Sequence, residues 1–149
     1  TIVYHSRTKK DVPYRYFDNL TEMAQACDAL ICITPGGPST HKIVNAKVLE
    51  ALGPNGTLIN VSRGSVVDEA ALIEALGSGK LGWAGLDVFD AEPVVPQALR
   101  ELPNTVLLPH VGSATVETRA AMGALTVDNL LQHLKDGTVV TPVPECADL

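Results

Sequence analysis

The sequence predicts an α/β domain built on a doubly wound parallel sheet, and three observations carry that prediction. Short apolar runs alternate with stretches of helical pattern, the signature of successive βα units. At 149 residues with 46% apolar side chains, the chain is one domain long and can bury a sizeable core. Aromatic residues make up only 4%, so that core must come from Val, Ile, Leu and Ala, as in parallel sheets covered on both faces by helices.

Residues 1–5 read as a strand, and Leu20 to Cys27 as a short helix with Thr21 as its cap. Ala29 to Thr34 is a second strand, ended by the turn cluster Pro35, Gly36, Gly37, Pro38. Residues 45–52 read as a helix closed by Gly53 and Pro54, and Thr57 to Val61 as the next strand. Asp68 caps a helix through Ala70, Leu72, Ile73, Ala75 and Leu76, which stops at Gly77 to Gly79. Leu81 to Val88 and Thr105 to Leu108 are further strands. The longest helix runs from Ala114 to Leu134, with Ala121, Leu125, Leu130 and Leu134 roughly on a 3.6-residue repeat. After Gly137 the tail carries Pro142 and Pro144. Residues 1–136 are therefore expected to form one domain and 137–149 a C-terminal tail. Thr1 is not Met, and the chain enters its first apolar run without a cap or turn, so it is expected to be cut from something longer.

Seventeen Asp plus Glu against eleven Lys plus Arg give a net charge of −6, a field that repels nucleic acid and anionic lipid. No apolar run reaches the roughly 18–20 residues that span a bilayer, and no membrane role is expected. Cys27, Cys32 and Cys146 have no C-x-x-C spacing, which suggests neither a disulfide framework nor a zinc site and points to a reducing cytoplasm. No metal is expected.

A doubly wound sheet binds its ligand outside the carboxyl ends of its strands, so the residues after each strand are the ones to read for chemistry. His5, Ser6, Arg7, Thr8, Lys9 and Lys10 follow the first strand, and no carboxylate appears until Asp11. In a dinucleotide fold a carboxylate here favours the free ribose hydroxyl of NAD, whereas a guanidinium and a hydroxyl suit the 2′-phosphate of NADP. The plainer reading is a solvated basic turn. Asn60, Val61, Ser62, Arg63 and Gly64 follow another strand, where the forked Arg63 could grip a carboxylate and Gly64 allow a tight turn. The plainer reading is a surface Arg paired with an acidic neighbour. The run Gly85 to Pro93 holds Asp87, Asp90 and Glu92; Asp87 sits in an apolar stretch and should be hydrogen-bonded, and Glu92 precedes a proline and cannot be helical. Pro109, His110, Val111, Gly112 and Ser113 close the series, and a His at the mouth of a cleft can give or take a proton near neutrality. His5, His41 and His133 show no partner pattern.

The segments N-V-S-R-G-S-V-V-D-E-A-A-L, G-L-D-V-F-D-A-E-P and L-P-H-V-G-S-A-T-V-E-T-R, in that order, resemble the D-isomer-specific 2-hydroxyacid dehydrogenases across residues 1 to about 136. With the H-S-R-T opening they look most like the NADP-preferring glyoxylate and hydroxypyruvate reductases within that family. The resemblance implies a Rossmann-like sheet, catalytic residues Arg63, Glu92 and His110, and a small 2-oxo acid substrate. It implies cofactor contacts from Ser6, Arg7, Thr8, Thr34, Pro35, Val61, Ser62, Arg63, Asp87, His110, Gly112 and Ser113, with NADPH preferred and NAD possible, and a homodimer. The family's glycine-rich G-x-G-x-x-G turn is absent from the 149 residues, so the first βα unit is expected upstream of Thr1. Without it this piece is expected to be inactive and to bind NADPH weakly or not at all. The loop Thr34 to Pro38 also departs, reading T-P-G-G-P where the family more often has P-L-T-x-E. Two alternatives stand beside the reductase: an NAD-dependent dehydrogenase such as one acting on phosphoglycerate, and a non-catalytic dinucleotide-sensing corepressor-like module.

Overall fold

A computed structural model describes residues 1–146 as two compact units, Thr1–His110 and a second beginning at Val111. The last three residues of the expected tail, 147–149, lie outside the described residues.

In the first unit β1 (Val3–His5) pairs in parallel with β2 (Arg15–Phe17), placing Tyr4 opposite Tyr16. A separate four-stranded parallel sheet runs in chain order through β3 (Ala29–Cys32), β4 (Thr57–Asn60), β5 (Trp83–Leu86) and β6 (Thr105–Leu107). The connections carry α1 (Leu20–Gln25), α2 (Ala46–Leu52), a 3-10 turn at Gly64–Val66, α3 (Glu69–Gly77) and α4 (Gln97–Arg100). Asp68 caps α3 as expected, accepting from the Ala71 amide. The cap of α1 is Asn19 rather than Thr21: the Asn19 carboxamide oxygen accepts from the amides of Thr21 and Glu22, at 2.9 and 3.3 Å. The sequence reading had no element at β2 or α4, which are three and four residues long and too short to show a period.

Register explains the core. Leu30, Leu58 and Ala84 form one cross-strand row, all buried and clustered with Met23 of α1, Leu49 of α2 and Leu72 of α3. Ile31, Ile59, Gly85 and Val106 form the next row and point to the opposite face. There Ile31 is 59% exposed, Val106 63% and Trp83 56%. The buried parts of α1, α2 and α3 all join the cluster on the first of these faces.

Because the strands are parallel, their carboxyl ends share one edge. The ladder continues past the strands there, the Asp87 amide donating to the Asn60 carbonyl at 3.0 Å and the Leu108 amide to the Leu86 carbonyl at 2.8 Å. The loops that carry Thr34, Arg63, Glu92 and His110 leave from that edge.

The second unit contains α5 (Val116–Asp136), capped by Thr115 and ended by Gly137 in the left-handed region at φ 82°. No residue of α5 is buried. Asn129 ties the tail back to the helix, donating to the Thr141 hydroxyl at 3.0 Å and accepting from the Thr141 amide at 3.1 Å. Among the described residues no helix is long and apolar enough to cross a membrane, and no group of three His, Cys, Asp or Glu could hold a metal ion.

Candidate active site

The loop after β5 turns back so that the Glu92 carboxylate accepts from the Phe89 amide at 2.9 Å through one oxygen. Its other oxygen lies 2.7 Å from Nδ1 of His110, just beyond β6. The hydrogen bond from His110, then that from the Phe89 amide, hold the Glu92 carboxyl below the usual carboxylate range. Arg63 adds a weaker electrostatic pull in the same direction. Near neutrality Glu92 is therefore ionised and can only accept, so Nδ1 of His110 must be the donor. Nε2 is left as the ring position that can carry a transferable proton. The pair is accessible, with the His110 side chain 50% exposed and that of Glu92 34%. His110 has a left-handed backbone at φ 57°, a region that few non-glycine residues enter and that histidine enters more often than most.

Arg63 is delivered by the end of β4, and a buried polar knot fixes it there. Asn60, 1% exposed, donates from Nδ2 to the Arg63 carbonyl at 3.0 Å. Its Oδ1 accepts from the amide and hydroxyl of Ser62, at 3.1 and 2.9 Å. Arg63 itself donates from a terminal nitrogen to the Ser62 carbonyl at 2.6 Å. No ion pair involving Arg63 occurs among the described residues, so it is not the acid-paired surface arginine of the plainer reading. Gly64 was read as the means to a tight turn. Its φ is not in the left-handed region, and what needs glycine is proximity: a Cβ there would run into the backbone of Phe89 and Asp90. The Arg63 loop and the Glu92 loop are in direct backbone contact at that point.

Arg63, Glu92 and His110 all line one cleft with Thr34, Pro35, Val61 and Ser62. Its volume, about 1090 Å³, exceeds what a two- or three-carbon acid fills and leaves room for a second, larger ligand. A second groove of about 720 Å³ is lined by Ser6, Arg7, Thr8 and Lys10 with Leu30, Ile31 and Ile43, and shares Ile33, Thr34, Pro35 and Gly36 with the first. A basic, hydroxyl-bearing end, an apolar middle and a connection to the Arg63 cleft suit an elongated phosphorylated cofactor such as a dinucleotide. Ser6 is turned inward on its own loop, donating to the Thr8 carbonyl at 2.7 Å, and Arg7 has no ion pair among the described residues. Asp87 is buried beneath the edge and lines neither cleft. Gly112 and Ser113 belong to the second unit. The sequence reading assigned no part to Asn60 or Gly36. Asn60 could have been found as Asp87 was, as a polar residue ending an apolar run whose burial demands partners.

A Rossmann-like α/β sheet with a cleft at its carboxyl edge defines the class. The chain belongs to the D-isomer specific 2-hydroxyacid dehydrogenase family, whose NAD binding domain profile matches residues 1–112. It is 51% identical over 143 residues to glyoxylate/hydroxypyruvate reductase A of Arabidopsis thaliana, covering 95% of this chain and 46% of that protein. Hydroxyphenylpyruvate reductase of Plectranthus scutellarioides is 50% identical over 143 residues, with the same shares covered. Among solved structures, the NADPH-dependent glyoxylate/hydroxypyruvate reductase of Sinorhizobium meliloti, in complex with NADP and malonate, superimposes with a TM-score of 0.94 at 55% identity, over 97% of this chain and 46% of that one. The chain thus spans about half the length of the relatives it matches.

Proposed function

We propose that this chain is the cofactor-binding part of an oxidoreductase that reduces a small 2-oxo acid, glyoxylate or hydroxypyruvate, to the D-2-hydroxy acid with NADPH. The observation that carries the reading is the 2.7 Å Glu92–His110 pair in one cleft with Arg63. The named activities of the Arabidopsis and Sinorhizobium relatives support the substrate class, and the NADP of the Sinorhizobium complex supports the cofactor.

The nicotinamide cofactor supplies a hydride to the substrate's carbonyl carbon. Arg63 binds the substrate carboxylate through its fork and draws electron density from the adjacent carbonyl. His110 gives the proton on Nε2 to the carbonyl oxygen, so that hydride and proton together make the alcohol and the imidazole ends neutral. Glu92 keeps the Nδ1–H and so fixes which nitrogen faces the substrate. Arg7, with Ser6 and Thr8, would hold the 2′-phosphate, and Thr34, Pro35, Val61 and Ser62 would line the cofactor's path. The reading includes a homodimer and a cytoplasmic setting, the latter supported by three free cysteines, of which Cys32 is buried with its thiol pushed up to about 12.

The test is a rate comparison on the full-length gene product carrying this sequence, with glyoxylate and hydroxypyruvate, against NADPH and NADH. Faster turnover with NADPH is expected, and His110→Ala should lower kcat by about 10²- to 10⁴-fold. A folded protein that turns over neither acid with either cofactor overturns the reading and favours a dinucleotide-sensing module.

A further inference from the structure

We infer that Gly36 is a positioning residue for Arg63, its missing side chain being the space in which the Arg63 stem lies and from which the guanidinium is aimed at the substrate carboxylate. The inference rests on the substrate role proposed for Arg63. It concerns the stretch where this chain departs from the family pattern. A Cβ at Gly36 would lie 2.9 Å from Cγ of Arg63 and 3.3 Å from its Cβ. These are the first atoms of the side chain, not its mobile end, so relief requires rotating the whole stem. Gly36 is not in the left-handed region, and alanine can adopt its backbone; any penalty there is one of space.

Neither partner can retreat. The Thr40 hydroxyl donates to the Pro35 carbonyl at 2.7 Å, closing the turn that carries Gly36. That turn is laced to the segment beyond Arg63 by the Lys42 amide on the Ser65 carbonyl at 2.8 Å and the Val44 amide on the Val66 carbonyl at 3.1 Å. On the other side, Asn60 grips the Arg63 carbonyl. A stem displaced between two anchored backbones takes the guanidinium out of line, and misplacement of a binding group by about 1 Å can cost 10²-fold.

The experiment is Gly36→Ala in the full-length gene product, read by steady-state kinetics and by melting temperature, each repeated in an Arg63→Ala background. KM for the 2-oxo acid should rise by about 10-fold or more. The melting penalty of Gly36→Ala should be present with Arg63 and vanish with Arg63→Ala, the non-additivity of two residues in contact. An unchanged KM for the 2-oxo acid or equal melting penalties in both backgrounds would overturn it. If the unmutated protein reduces no 2-oxo acid, the functional reading falls and the melting cycle alone decides the contact. A Gly36→Ala protein that folds only when Arg63 is also removed supports the inference, and one that folds in neither background overturns it.

Discussion

At His110 the side chain leaving a left-handed backbone is tied to Glu92 by a 2.7 Å hydrogen bond. That tie has a pH signature whose sign follows from the depressed Glu92 pKa. A carboxyl whose folded pKa lies below its unfolded value contributes stability that is complete above the unfolded pKa and is lost as pH falls through the folded one. Glu92→Gln should therefore be less thermostable than the unmutated protein at neutral pH, with the gap constant down to about pH 5 and closing as the pH falls through the unfolded value of about 4.3 and then the lower folded one. Melting curves across that range check it, and a gap constant throughout would mean the ionised pair contributes nothing. Arg7 carries a separate expectation, since its guanidinium is the group that would favour a 2′-phosphate over a ribose hydroxyl. Arg7→Asp should lower kcat/KM with NADPH by at least about 10-fold, the loss of a charge-assisted contact, and raise it with NADH. Unchanged preference would remove the basis for NADPH.

At the level of elements, two glycines separate crowding from propensity. Gly64 sits against the Phe89–Asp90 backbone, so Gly64→Ala should cost about 1–3 kcal/mol of overpacking strain and lower the melting temperature. Gly123, inside α5, has nothing within 4 Å of where a Cβ would stand, so Gly123→Ala should stabilise by about 0.4–1 kcal/mol through helix propensity. Calorimetry on the two variants should give shifts of opposite sign. The same contrast governs what a reader of the sequence can recover. Asp68 and the alternating apolar runs are local signals, and α3, β3 and β4 follow from them. Asn19 and Thr21 are both good capping residues two positions apart, and the extended backbone at Asn19 chooses between them. Arg63, Glu92 and His110 each stand just past a strand, where chemistry is expected. Gly36 and Asn60 act on Arg63 across 27 and three positions of chain, through space and through a buried knot, neither of which leaves a periodic trace.

At the scale of the first unit, the four-stranded sheet buries one face in the core and carries Ile31, Trp83 and Val106, each more than half exposed, on the other. A net charge of −6 opposes contact between copies through such surfaces. As pH approaches the sequence pI of about 5.1 that repulsion disappears, and light scattering from the 149-residue chain should rise to a maximum there. Trp83→Lys should lower the maximum; scattering that ignores both pH and this substitution would show that this face does not drive association. The same face comes with its own optical probe. Trp83 is the chain's one tryptophan, so intrinsic fluorescence excited at the indole band reports from the start of β5 on that side of the sheet and from nowhere else. Whatever comes to cover the face, a polypeptide segment or a second molecule, will strip water from the ring and move its emission to the blue, so occupancy can be titrated without a label.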